Sequence, residues 1–180
     1  MLIAQEKRKT NVIEYLLYMY QVEDTIRACR FDINMIEQRV ISQFKVSEKM
    51  KGEIRSWYAD LIVMMHQEGV KDKGHLNILK SLVNDLDKLH KNIIEEIKDK
   101  KYLEQYLLAL PNIQAFNKKL NKSSRNEIDI CLTGLYALLL LRLQKKEISD
   151  VTLNAMQTFS NLLAMLSDWF IKTELSNRDL

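Results

Sequence analysis

Apolar residues recur along this chain at alternating spacings of three and four, the repeat that lines one face of an α-helix. In the first such run Val12, Tyr15, Met19, Val22, Ile26 and Cys29 share a face, and Ile13, Leu17 and Tyr20 form a stripe beside it. Asn11, followed at a capping-box distance by Glu14, predicts the start of this helix at Thr10 or Asn11. The second stripe continues into Asp24 and Arg27, so its polarity changes abruptly. Asp32 is placed to cap a short helix whose buried row is Ile33, Ile36, Val40 and Phe44. Ser47 is placed to cap the next, with Met50, Ile54, Trp57, Leu61 and Met64 in line. Gly69 and Gly74 bracket a polar segment and predict a loop.

The cleanest run is Leu76, Leu79, Val83, Leu86, His90, Ile93 and Ile97, a coiled-coil-like seam that breaks at the charged residues 98–101. Tyr102, Leu103, Tyr106, Leu107 and Leu110 restart a helical face, which Pro111 is expected to end or kink at Leu110. Residues 117–125 are polar and basic and predict a connection. Ser124 and Glu127 form a Ser-x-x-Glu capping box that opens a Leu-rich helix near 125–146. A helix apolar nearly all round predicts a central, buried position. Ser149 is expected to cap the last helix, on which Met156, Phe159, Leu163, Leu166 and Phe170 align. The pattern predicts an all-α chain: an irregular bundle of six or seven helices in a single domain over residues 1–180.

Composition supports that class. One Pro and four Gly in 180 residues are too few to supply the turns of a many-stranded sheet. Gly52 and Gly134 fall inside predicted helices, where glycine costs about 1 kcal/mol relative to alanine. Gly134 is therefore expected to mark a close approach of two helices. The net charge of +3 and the pI of about 8.7 fall short of the basic balance of a strong nucleic-acid binder. Cys29 and Cys131 are isolated in sequence and read as core thiols. The apolar stretch at 130–141 is too short to span a membrane, and residues 1–4 are too short an apolar opening for a secretory signal. A cytoplasmic location is expected.

Candidate chemistry is sparse. No nucleophile elbow, Cys–His pairing or Gly-rich phosphate loop occurs in the sequence. Asp87 and His90 lie on adjacent helical turns and are weak metal candidates. A dinuclear bundle site would need a second such motif and further carboxylates, so packing is the expected role of His90. Glu23, Asp24, Arg27 and Arg142 are candidates for a buried polar network. Arg142 continues a core face of the leucine helix. It is expected either to pair with Glu23 or Asp24, or to lay its stem along the core edge and keep its head in water. Lys118, Lys119, Lys122 and Arg125, with Tyr102, Tyr106 and Phe116 nearby, are candidate polyanion contacts, against the simpler reading of a solvated helix end. Nothing implies a cofactor.

Three stretches together are distinctive: the opening MLIAQEKRKTNVIEYLLYMYQVEDTIRAC, the segment LLLRLQKKEIS and the tail FSNLLAMLSDW. With them the chain resembles a family of all-helical bacterial proteins of about this length, classed as a domain of unknown function. The resemblance implies an intact helical domain and carries no catalytic residue, ligand or partner. The leading expectation is a cytoplasmic interaction or scaffold protein without catalytic activity, which binds another protein or self-associates through helix faces. One alternative is a binder of a small apolar ligand between helices, with a pocket near Trp57, Met64 or Trp169. Another is a metal-dependent enzyme or a polyanion binder. Neither nucleic acid nor a membrane is the expected partner.

Overall fold

The structure is a computed structural model, which describes residues 2–120 and 126–176. Among the described residues it holds eight α-helices and no strand. They are α1 (Leu2–Thr10), α2 (Val12–Ala28), α3 (Ile33–Arg39), α4 (Glu48–Gln67), α5 (Asn77–Asn92), α6 (Lys100–Leu120), α7 (Glu127–Leu143) and α8 (Asp150–Ser176). A 3-10 turn at Ile41–Gln43 follows α3, and a π-helical turn at Ile93–Ile97 follows α5. The all-α class holds, and the count of six or seven is corrected upward. The helix without a forecast is α1. Its charged sequence has no apolar row to detect, and Ala4 is its one buried residue among those described. Asn11 does mark a boundary: its side chain accepts from the Ile13 amide at 3.1 Å, as α2 begins.

The chain divides into two compact units. The first comprises Met1–Arg8 and Glu14–Lys80. Its core gathers Met19, Val22 and Ile26 from α2, Cys29 just after it, Ile36 from α3, and Ile54, Tyr58, Leu61 and Met65 from α4. The caps read from sequence are present. Asp32 accepts from the Asn34 amide, and Ser47 accepts from the Met50 amide. Gly69 and Gly74 both adopt positive φ, +67° and +85°, which stops α4 and turns the loop toward α5.

The second unit comprises Lys9–Ile13 and Ser81–Leu180. In it α6, α7 and α8 pack against one another. Ile128, Ile130, Cys131, Leu132 and Gly134 bury the first half of α7, while Leu139 to Leu141 are half-buried. The expected close approach is found at Gly134. A β-carbon there would meet the Phe159 ring at 2.9 Å and Met156 Sδ at 3.1 Å. Ser149 accepts from the Thr152 amide and caps α8.

Two boundary expectations are corrected. Helix α6 runs through Pro111 to Leu120. Proline forfeits one backbone bond, to the carbonyl of Leu107, and both residues are exposed, so water can serve that carbonyl. The cap of α7 is Asn126, whose side chain accepts from the Asp129 amide at 2.7 Å. Glu127 is thereby the first helical residue, while Ser124 lies outside the described residues. No helix among those described is long and apolar enough to cross a membrane.

Candidate functional site

Four local features of the second unit bring a polar cluster together. The seam of α5 carries His90 inward. The π turn then adds a residue to the helical ring, with Lys98 N–H bonded to the Ile93 carbonyl and Lys98 itself left-handed at φ 55°. Asp99 Oδ1 accepts from the Tyr102 amide at 2.8 Å and starts α6, placing Tyr102 and Tyr106 on consecutive turns. Asn126 starts α7 and places Glu127 in its first turn, where a carboxylate is favoured by the helix dipole.

His90 is 2% exposed, and both ring nitrogens are engaged. Tyr102 Oη lies 2.7 Å from Nδ1, and Glu127 Oε2 lies 3.2 Å from Nε2. Burial pushes the Tyr102 phenol far above its usual range, so it stays protonated. The ionised Glu127 carboxylate can only accept, so Nε2 carries a proton toward it, and in the neutral ring Nδ1 then receives the Tyr102 hydroxyl. The Tyr106 ring stands edge-on to His90 at 5.1 Å, and its hydroxyl donates to Glu127 Oε1 at 3.3 Å. Burial, then the charge of Glu127, pushes the Tyr106 phenol up to about 12. In return the hydrogen bond from His90, helped by that from Tyr106, holds the Glu127 carboxyl below its usual value against the opposing effect of burial. Cys131 is buried as expected, and its burial pushes the thiol up and away from thiolate chemistry.

The depressed titration of Glu127 gives a pH prediction. A carboxyl that titrates lower in the folded state stabilises the fold fully above its usual value of 4.5 and loses that contribution as pH falls below it. The stability difference between wild type and Glu127→Gln, measured by urea unfolding, should be fully present above the usual carboxyl value of 4.5 and shrink across the acid interval below it. A difference that is flat across that interval would refute the assignment.

Beside this cluster, Asp87 is buried on α5. Its Oδ2 accepts from Lys91 Nζ at 2.7 Å, while Oδ1 is itself buried, with no hydrogen-bond partner among the described residues. A pocket of about 320 Å³ opens here, lined by Asp87, His90, Lys91, Ile94, Glu95, Tyr106, Asn126 and Glu127. Of these, Asp87 and His90 are buried and Lys91 and Glu95 are exposed. Trp57, Met64 and Trp169, the neighbourhoods expected for an apolar pocket, do not line it. For the weak metal candidates, the structure gives other roles. Asp87 is bonded to Lys91, His90 has no nitrogen left for a ligand, and no three metal-ligating side chains converge among the described residues.

In the first unit, Glu23 is completely buried, as a network member should be, but its partner is not the one expected. Its Oε1 accepts from the Leu76 amide at 2.8 Å, and its Oε2 meets His75 Nδ1. The His75 ring stacks on Tyr20 with centroids 3.6 Å apart. Arg27 pairs with Asp24 at 2.8 Å and also donates to the carbonyls of Val70, Lys71 and Gly74, which pins the loop between the two glycines. Arg142 is exposed on the last turn of α7, which agrees with the second of its two expected placements, a stem along the core edge with the head in water. An arginine one turn from a helix end reaches water at little cost. Lys118 and Lys119 are exposed at the end of α6, while Lys122 and Arg125 lie outside the described residues.

Sequence reasoning missed Glu127, Lys91, Tyr106 and His75 as site residues. One signal pointed to the first group. His90 sits on an otherwise apolar seam, and a buried imidazole needs hydrogen-bonding partners from elsewhere in the chain.

Fold and site together define an all-helical chain with a polar pocket on one of its units. The chain belongs to the family described as domain of unknown function (DUF4924), which it matches over residues 1–177. No curated protein and no solved structure matches it.

Proposed function

We propose that the chain is a binding protein whose recognition site is the polar pocket of its second unit. The observation that carries this reading is the pocket wall, where two buried polar side chains, Asp87 and His90, stand beside the exposed charges of Lys91 and Glu95. The pocket volume is in the range of small-ligand sites.

Recognition fits the arrangement better than catalysis. A general base needs a lone pair within reach of its substrate, whereas one nitrogen of His90 receives the Tyr102 hydroxyl and the other donates to Glu127. The groups left facing the pocket are hydrogen-bonding and charged ones that hold a ligand. This stays within the non-catalytic binding class that the sequence suggests and gives it a site.

The test is a mixed library of acidic, basic and neutral fragments titrated into the uniformly 15N-labelled full chain. Hits are expected to shift the amide signals of Asp87, Lys91, Asn126 and Glu127 as a group. A library in which no fragment moves those four signals would overturn the reading.

A further inference from the structure

We propose that His75 is a phosphoryl acceptor, whose Nε2 takes a phosphoryl group from a donor in which phosphorus is bound to nitrogen. The site belongs to the first unit and does not rest on the pocket. Glu23 is the positioning residue. It is completely buried; its Oε2 meets His75 Nδ1, and its Oε1 holds the Leu76 amide. A carboxylate only accepts, so Nδ1 carries the ring proton and Nε2 keeps its lone pair. Tyr20 fixes the plane of the ring, stacked within 19° of parallel. The His75 side chain is nonetheless 32% exposed, and Nε2 is neither bonded to a described residue nor buried. A fixed imidazole with one open lone pair and a carboxylate behind it is an activated nucleophile. The other two histidines differ. His66 is exposed and has no carboxylate partner among the described residues, and His90 is buried with both nitrogens engaged.

The transfer balances without an added proton. The Nε2 lone pair attacks phosphorus, and the bond from phosphorus to the protonated donor nitrogen breaks. That nitrogen leaves with the bonding pair as a neutral amine. The ring keeps its Nδ1 proton and becomes cationic, and the new charge faces Glu23. Glu23 has no other cation to meet: its second oxygen is on a backbone amide, and Arg27 is committed to Asp24 and to the loop carbonyls. A charge-assisted bond thus forms as the ring is phosphorylated. The setting of the ring favours a dianionic phosphoryl group over a neutral acyl group. Helix α5 begins two residues after His75 with the positive end of its dipole, and Lys71 and Lys73 are exposed on the preceding loop against Asp72.

The experiment incubates the full chain with phosphoramidate at neutral pH and reads phosphorylated imidazoles by 31P and long-range 1H–15N NMR. His75 should be labelled at Nε2 about tenfold faster than His66, with His90 unlabelled. Glu23→Gln keeps an acceptor for Leu76 and removes the charge behind the ring. It should slow His75 about tenfold, leave His66 unchanged and abolish the preference for Nε2 over Nδ1. The choice of nitrogen separates positioning by Glu23 from a general loosening of the fold, which would speed labelling instead. Labelling of His66 as fast as His75, labelling of wild-type His75 at Nδ1, or an equal or faster His75 rate in Glu23→Gln would overturn the proposal.

Discussion

Replacing Glu23 with alanine is expected to destabilise the first unit by about 3 kcal/mol, the largest loss foreseen for any single polar side chain of the fold. The carboxylate is fully buried and serves two partners from the segment that enters α5, His75 and the Leu76 amide. Leu76 is itself completely buried, so its N–H finds no water when Glu23 is removed. An orphaned buried donor costs about 1–3 kcal/mol, and the space left by the side chain adds to it. Glu23→Gln retains an acceptor for Leu76 and should lose roughly half as much. Urea unfolding checks the magnitude, and hydrogen exchange at Leu76 checks the cause, since that amide should lose protection in the alanine variant first. A variant that unfolds at the wild-type urea concentration would show that Glu23 does not hold this segment.

The fate of Glu23 illustrates what a single sequence discloses. Its membership of a buried network follows from its place on α2, between apolar residues Val22 and Ile26 and one turn beyond Tyr20. Its partner does not. His75 is 52 positions away, and no periodicity distinguishes it from Arg142 as a mate for a buried carboxylate. Local rules succeeded where the physics is local: Asp32, Ser47 and Ser149 cap the helices they precede, and Gly69 and Gly74 take the positive φ that a helix stop requires. They failed where a distant or solvent term decides. Pro111 stays helical because its lost bond faces the exterior, and α1 forms without an apolar row of its own.

The pocket shows the same division. Asp87 and His90 are neighbours on one helix, and their spacing flagged them. Tyr102, Tyr106 and Glu127 come from two later helices, and each had a sufficient local explanation: the tyrosines as members of an apolar face, the glutamate as half of a capping box. Glu127 does occupy the first turn of α7, but two positions earlier than the Ser124 pattern implied, with Asn126 as the cap. Its carboxylate is thereby directed to His90 and Tyr106 instead of to the helix start.

Gly134→Ala is the second large effect, and its sign runs against helix propensity. In an open helix position alanine is favoured over glycine by about 1 kcal/mol. At Gly134 the added methyl would stand 2.9 Å from Phe159 Cε2 and 3.0 Å from Cδ2, closer than carbon atoms pack. The ring has little room to retreat: Phe159 is completely buried, and Phe116 packs edge-on against it at 6.1 Å. Relief therefore requires α7 and α8 to separate, and overpacking of this kind costs about 1–3 kcal/mol. The net expectation is a loss of up to about 2 kcal/mol. Gly52 provides the control. It lies in the second turn of α4, exposed, with nothing within 4 Å of an added β-carbon. Gly52→Ala should accordingly stabilise by up to about 1 kcal/mol. Opposite signs for the two substitutions in urea unfolding would establish that glycine at 134 is retained for the helix contact. A stabilised Gly134→Ala would show that the two helices separate at negligible cost.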